Sequence, residues 1–369
     1  MEKVKFNEII KSNEILLFFL STEKTNKIKT IRVLILFLII PIILLFLSNY
    51  KKTLFLDNDG YVGMLDDKLF LFTVFLVPSL ILILNLIIKR FISFLEELPN
   101  FTKGISDINL NNLITKHLYF INKKRTSLII VKSLLFIYFI FANTKALYTR
   151  KGAWNSPDFL LEFILTLILV AIILFVLTQI LIKLVLIILA QIKLTTELSH
   201  NNFLDIKPLS LDKSGSLSSL SELSLSFTYI LIPFMFLAIT HYLTWGTFTI
   251  GFAAGIILLS LSTIFLFFFP LGTVHTLMKK SKKQFLKEID DDYISFSDKL
   301  LKDIKSDKKD INETKEYCDT IKQIYEKAKD MPVWPFDIKI MLKFITVVLG
   351  PIVLVLLEIF LSKLFEYIF

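Results

Sequence analysis

The stretch "FLLEFILTLILVAIILFVLTQILIKLVLIILAQI", Phe159 to Ile192, carries Glu162 and Lys183 as its only charges and contains neither Gly nor Pro. Its about 34 residues, at 1.5 Å of rise each, make roughly 50 Å of helix against a hydrocarbon core of about 30 Å. With no residue at which to turn back, it reads as one helix that crosses a bilayer and continues past Lys183 into the cytosol.

The rest of the chain agrees with a membrane setting. Of its 369 residues 54% are hydrophobic, the mean hydropathy is +0.66, and the charges fall in blocks between uncharged runs. The net charge of +9 sits beside apolar spans, where topology and anionic headgroups account for it without nucleic acid. The single cysteine, Cys318, excludes an intrachain disulfide framework and a cysteine-rich metal cluster. Met1 to Thr30 is charged and mixed, and no small-residue cleavage site follows the first apolar run, so that run reads as a retained anchor.

Runs of spanning length are Ile31 to Leu47, Leu69 to Ile88, Leu128 to Tyr148, Phe159 to Ile192, Leu223 to Trp245, Thr249 to Phe269 and Ile340 to Phe360. The expectation is therefore an all-α, polytopic helical membrane protein with about seven transmembrane helices. Lys24, Lys27, Lys29 and Arg32, then Lys89, Arg90, Lys116, Lys123, Lys124 and Arg125, then Lys279, Lys280, Lys282 and Lys283 make three loops basic. The positive-inside rule puts these in the cytosol with the N-terminus, at the inner membrane, and lets the last four face anionic lipid headgroups. Lys132, Lys183 and Lys343 sit near cytosolic ends, where they can snorkel.

The organisation expected is a cytosolic N-terminal segment over 1–30, spans one to six over 31–272, a cytosolic element over 273–336 and a last span over 337–369. In the cytosolic element Ile289, Tyr293, Phe296, Leu300, Ile304, Ile311, Cys318, Ile321, Tyr325 and Ala328 keep a three-four spacing. That spacing draws the apolar stripe of a coiled-coil-like helix or helical hairpin built to pack against protein. Pro332 and Pro335 then break the helix, with Trp334 placed for an interfacial belt.

Between two apolar runs lies "LDKSGSLSSLSELS", Leu211 to Ser224. Ser219-Leu220-Ser221-Glu222 has the form of an S-x-x-E capping box after a turn, and a helix start could also hold an anion. Without a G-x-x-x-x-G-K-[ST] the structural elbow is the better reading. The order of a long span, "ELSHNNFLDIKPLSLDKSGSL", another span, a cytosolic helix and "WPFD" before a final span resembles uncharacterised bacterial multi-pass proteins with a His-Pro-Asp…Gly-Gly-Leu loop. Pro208, Asp212, Gly215 and Leu217 match that loop, no His directly precedes the Pro, and a serine stands for the second glycine. The resemblance covers the C-terminal half and implies no established activity.

Asp57, Asp59, Asp66 and Asp67 in "FLDNDGYVGMLDD" have a spacing that could hold calcium, and the same residues read as a β-hairpin of "TLFL" and "YVGML" about an Asn-Asp-Gly turn. His117, His200 and His275 fall on the cytosolic side, near Glu197, Asp205 and Asp212 in topology. They lack the i, i+4 pairing of a metal site, and histidines hydrogen-bonded to backbone are the commoner case. Glu162, His241 and Glu358 lie towards the outer face, so no charge stands at mid-span. Glu358 could pair with Lys145 or His241 in gating or in a plain ion pair. Gly251 and Gly255 form a GxxxG whose small face admits a helix, while Pro233 and Gly350-Pro351 should kink their helices.

H-E-x-x-H, G-x-S-x-G, P-loop and Rossmann signatures are absent, so no cofactor is implied. These features favour a non-enzymatic oligomeric channel or signalling protein whose cytosolic helix binds a protein partner or a second copy. A transporter or lipid-handling protein is the second reading, and a membrane enzyme with a cytosolic-face metal site the third.

Overall fold

Backbone N–H and C=O groups find no water in a hydrocarbon layer, so a chain of this hydropathy must satisfy them inside helices. The computed structural model, which describes residues 41–50, 67–122, 160–206, 217–245, 250–305 and 311–368 with isolated positions between them, is helical wherever it is regular. The elements are α1 (Pro41–Tyr50), α2 (Lys68–Glu97), α3 (Asp107–Asn122), α4 (Leu160–His200), α5 (Ser218–Thr228), α6 (Ile232–Trp245), α7 (Ile250–Phe268), α8 (Gly272–Lys305), α9 (Ile311–Lys329) and α10 (Ile338–Ile368). One isolated antiparallel bridge, Thr102 to Leu204, ties the end of α2 to the end of α4.

Among the described residues, four runs are long and apolar enough to cross a membrane: Val74–Phe101, Leu160–His200, Ser218–Thr240 and Ala254–Lys302. This is fewer than the seven expected. Of the other three, the first survives as the short apolar helix α1, the third lies almost wholly outside the described residues, and α10 is helical over the seventh. The expected hairpin with Asp57 and Asp59 also lies outside the described residues.

The long fourth run is one unbroken helix of 41 residues, as its lack of Gly and Pro requires. Its buried stripe runs Leu169, Ile173, Leu177, Ile180, Leu184, Ile187, Gln191, Leu194 and Leu198, while Leu161, Ile164, Ile168, Ile172 and Phe175 are exposed. A three-four repeat over this length places one side against protein and leaves the other for lipid.

At the centre is α5, packed against α2, α7 and α10. Leu220, Leu223, Leu225 and Phe227 are buried there, and so are Ser221, Ser224, Ser226 and Thr228. Small polar side chains let neighbouring backbones approach closely. Several also satisfy themselves locally: Ser226 Oγ donates to Leu223 O at 2.6 Å and Thr228 Oγ1 to Leu225 O at 2.6 Å.

The expected capping box does not form. The helix starts at Ser218 with Leu217 as its N-cap and no side-chain cap bond, so Glu222 falls too deep in the helix to reach back to the first N–H groups. It pairs across to Arg90 on α2 instead.

Pro233 and Pro270 stand at two helix interruptions, whereas Pro78 is carried inside α2. A 3-10 turn, Tyr229–Leu231, separates α5 from α6 just before Pro233, whose ring removes an N–H and crowds the preceding turn. A second 3-10 turn, Phe269–Leu271, contains Pro270, yet α7 and α8 run on as a rod of 49 residues, Ala254–Lys302. That is about 70 Å of helix, so the sixth span passes into the polar element with no loop between them. At Gly255 and Gly350 an added Cβ would meet nothing within 4 Å, so neither makes a close helix approach among the described residues.

Phe227→Ala removes a side chain with no exposed surface and is expected to lower stability by about 3–5 kcal/mol. Leu82→Ala, on a side chain 58% exposed to the surroundings, should change the thermal midpoint in mild detergent little. Equal losses would show that α5 is not the packed centre.

Candidate functional site

The segment between α9 and α10, residues 330–337, carries Pro332 and Pro335 and so leaves carbonyls that no helix ladder satisfies. Side chains from two helices satisfy them. Lys282 Nζ on α8 donates to the carbonyls of Lys329 and Met331, each at 2.7 Å, placing a cation on the C-terminal end of α9. His275, two turns earlier on α8, lies with Nδ1 2.9 Å from Val333 O, which requires Nδ1 to carry the proton and donate it. Its ring stacks on Trp334 with centroids 3.9 Å apart and planes at 16°. From α5, Ser221 Oγ donates to Pro335 O. Asp337 Oδ1 then accepts from Ile340 N at 2.8 Å and starts α10.

This strap also carries an aromatic cluster. Phe267 stacks on Phe344 at 4.3 Å and lies 5.4 Å from Phe336, while Phe268 meets Trp334 edge-on at 5.0 Å. The strap thus joins α5, α7, α8 and α10 at one level. Gln191 of α4 reaches the same level, donating from Nε2 to Pro270 O at 3.2 Å.

Beyond the strap α8 and α9 pack antiparallel: Lys282 lies by Lys329 while Phe296 lies by Tyr317, ring centroids 4.3 Å apart. Ile289, Ile321 and Ala328 form their small core with Phe285, Leu286, Phe296, Ile324 and Tyr325, and Cys318 is buried on the same helix pair. Tyr293, read from spacing as part of the stripe, is exposed, because the seam follows Phe285, Ile289 and Phe296 instead. Ile304 and Ile311 have side chains outside those described. Among the described residues the core of the pair is short, with isoleucine and alanine at its centre and aromatic side chains beside them.

A second constellation clamps α3 onto α4. His117 Nε2 lies 2.9 Å from Glu197 Oε2, and Lys116 Nζ lies 2.8 and 3.1 Å from the two oxygens of the same carboxylate. The sequence order of His117 and Glu197 is thus a contact in space. His117 is buried with Ile114 and Leu110, which lie one and two turns before it on the same face. Burial, the largest influence, holds its imidazole below the ordinary 6.5; Lys116 and Lys193 act the same way, and the Glu197 bond and charge oppose them.

The other expected residues do not converge on a site. His200 is exposed at the end of α4, and His275 serves the strap. No group of three or more His, Cys, Asp or Glu that could hold a metal exists among the described residues, so the three histidines stand in three separate surroundings. Asp67 Oδ1 accepts from Phe70 N at 3.0 Å and caps α2, which gives this member of the calcium set a structural task. Asp66 lies outside the described residues, as do the side chains of Glu358, His241, Gly251 and Pro351. Lys279, Lys280 and Lys283 are exposed, whereas Lys282 is turned to the strap rather than to lipid.

Several residues with tasks escaped the sequence reading. Glu162, placed there as an interfacial charge, is fully buried, and Thr166 beside it is 1% exposed; the i, i+4 spacing on a buried stripe was the available signal. No sequence pattern pointed from Ser221 to Pro335, which lie 114 positions apart.

Because the folded chain holds His117 below its ordinary value, the unfolded chain takes up the proton first as pH falls. Its stabilisation is complete above about pH 6.5 and is lost as the pH drops below that value. The unfolding midpoint should therefore fall between pH 7.5 and 5.5 in the wild type, and His117→Gln should reduce that slope. An unchanged slope in the variant would place the acid sensitivity elsewhere.

Comparison with protein families, with curated proteins and with solved structures finds no match in any of the three.

Proposed function

We propose that this chain is a multi-pass protein of the cell inner membrane with its N-terminus in the cytosol, and that it works as a non-enzymatic, oligomeric channel or signalling protein. In this reading the chain crosses seven times and belongs with the bacterial multi-pass proteins that its Pro208, Asp212, Gly215 and Leu217 loop resembles. The α8–α9 hairpin takes up a protein partner or a second copy and passes its movement to the spans.

The observation that carries the reading is the strap. Lys282 and His275 fasten the base of the hairpin to residues 329–333, and Ser221 fastens the next turn of the strap to the buried helix α5. A displacement of α9 therefore pulls on α5 and on the start of α10 through directional bonds. Packed proteins transmit a signal through elements with two arrangements, and in this reading the strap is that element. The exposed Lys279, Lys280 and Lys283, a few residues past Pro270, sit where anionic headgroups would hold the hairpin base at the membrane surface.

Purified protein in planar bilayers tests the proposal. The wild type is expected to give discrete conductance, and the double substitution Lys282→Met with His275→Phe, which removes the donors and keeps the ring stack, is expected to change its gating. Silence from folded protein that is also monomeric in mild detergent would overturn the channel reading and move the weight to a transporter.

A further inference from the structure

Helix α10 opens with cations where a helix least favours them. Lys339 and Lys343 stand in its first two turns, both exposed, and its first turn carries no acid. Positive charge is unfavourable at the N-terminal end of a helix dipole, and like charges four residues apart on one face repel. Among the described residues no carboxylate pairs with either lysine. The nearest acid in sequence, Asp337, is turned to the backbone, its Oδ1 accepting from Ile340 N.

The face of the two lysines runs on through Thr346 to Gly350, at helical steps of four, three and four residues. Beside it Ile338, Leu342, Ile345 and Leu349 form a second stripe, 40–75% exposed. An added Cβ at Gly350 would meet nothing within 4 Å, so the surface there is open and low. After Lys343 the next charge is Glu358. From Lys339 to Gly350 is about 16 Å of helix, roughly half of a hydrocarbon core of about 30 Å. The lysines stand level with the aromatic cluster: Phe344, next to Lys343, stacks on Phe267, and Phe268 meets Trp334. Tryptophan collects where the apolar layer meets the headgroups.

We propose that this exposed face of α10 holds one anionic phospholipid, its phosphate between Lys339 and Lys343 and an acyl chain along Leu342, Ile345 and the open surface at Gly350. The phosphate removes the repulsion between the lysines and complements the positive end of the helix. The apolar stripe gives the chain a surface of about one leaflet's depth. The inference rests on the reading of α10 as a span that starts at the cytosolic face. It differs from the contact of Lys279, Lys280 and Lys283 with headgroups, since one element holds both the head and the tail of a single lipid. The strap leads directly into this turn of α10, so the anionic lipid content of the leaflet sets how firmly that end of the strap is held.

The test is thermal unfolding of the full chain in mild detergent, titrated with phosphatidylglycerol or with phosphatidylcholine of the same chains. A saturable rise in the midpoint is expected with phosphatidylglycerol and little change with phosphatidylcholine. Lys339→Gln together with Lys343→Gln should weaken the apparent affinity about thirtyfold. Gly350→Leu, which fills the open surface, should also weaken it, whereas Lys279→Gln, Lys280→Gln and Lys283→Gln together should leave it unchanged. Native mass spectrometry of the same proteins counts the phosphatidylglycerol retained per chain, a comparison that does not depend on the stability of a variant. An equal rise with both lipids, the same rise with inorganic phosphate, an unchanged affinity in the Lys339 and Lys343 variant, or a loss that follows the α8 lysines instead would each overturn the site. None of these measurements uses conductance or oligomeric state, so the site can fail while the channel reading stands, and the reverse.

Discussion

The structure depends on one short polar helix being buried among apolar ones. Helix α5 has serine or threonine at many of its positions, yet Ser221, Ser224, Ser226 and Thr228 are all buried. A lipid environment gives apolar side chains little reason to leave lipid for protein, so close backbone approach and interhelical hydrogen bonds must hold the helices together. Small hydroxyl side chains provide the approach. For Ser226, Thr228 and Ser221, bonds back to Leu223 and Leu225 and outward to Pro335 offset the penalty of burial. Larger side chains at these places would push α2, α7 and α10 apart, and the strap would lose one of its anchors.

The second governing fact is helix length. A core of about 30 Å needs about 20 helical residues, whereas α4 has 41 and the α7–α8 rod has 49. The surplus emerges on one side, where Thr196 and Thr273 lie 3.3 Å apart and Glu197 receives α3. The hairpin is thus continuous with the spans. The rod stays helical through the 3-10 turn at Pro270, and the strap closes the loop of contacts between the rod and α10.

Charges are distributed to match. Arg90 pairs with Glu222, and Lys116 with Glu197, where helices leave the apolar layer. Exposed pairs of this kind contribute little stability each, so their value lies in register. Glu162, in the first turn of α4, has no exposed surface.

Hydropathy and the absence of Gly and Pro were enough to read α4 as a single helix, because both act locally on the backbone. Pro332 and Pro335 fall between α9 and α10 and Pro233 follows a 3-10 turn, whereas Pro78 is carried inside α2, so the packing around a proline decides whether the helix stops there. The apolar stripe read over 289–328 contains Ile289, Ile321 and Ala328, which form the core of the helix pair. Which residues met across the fold was decided only in three dimensions. Ser219 to Glu222 satisfied the capping pattern, but the packing of Leu217 moved the helix start and sent Glu222 to Arg90. Tyr293 fitted the stripe and is exposed, because the seam follows Phe285, Ile289 and Phe296 instead. Glu162 had the composition of an interfacial charge, and only the neighbours of α4 buried it. Local rules specify where a helix runs; the partners of its side chains depend on contacts between residues far apart in the chain, and one sequence does not encode those contacts in any local pattern.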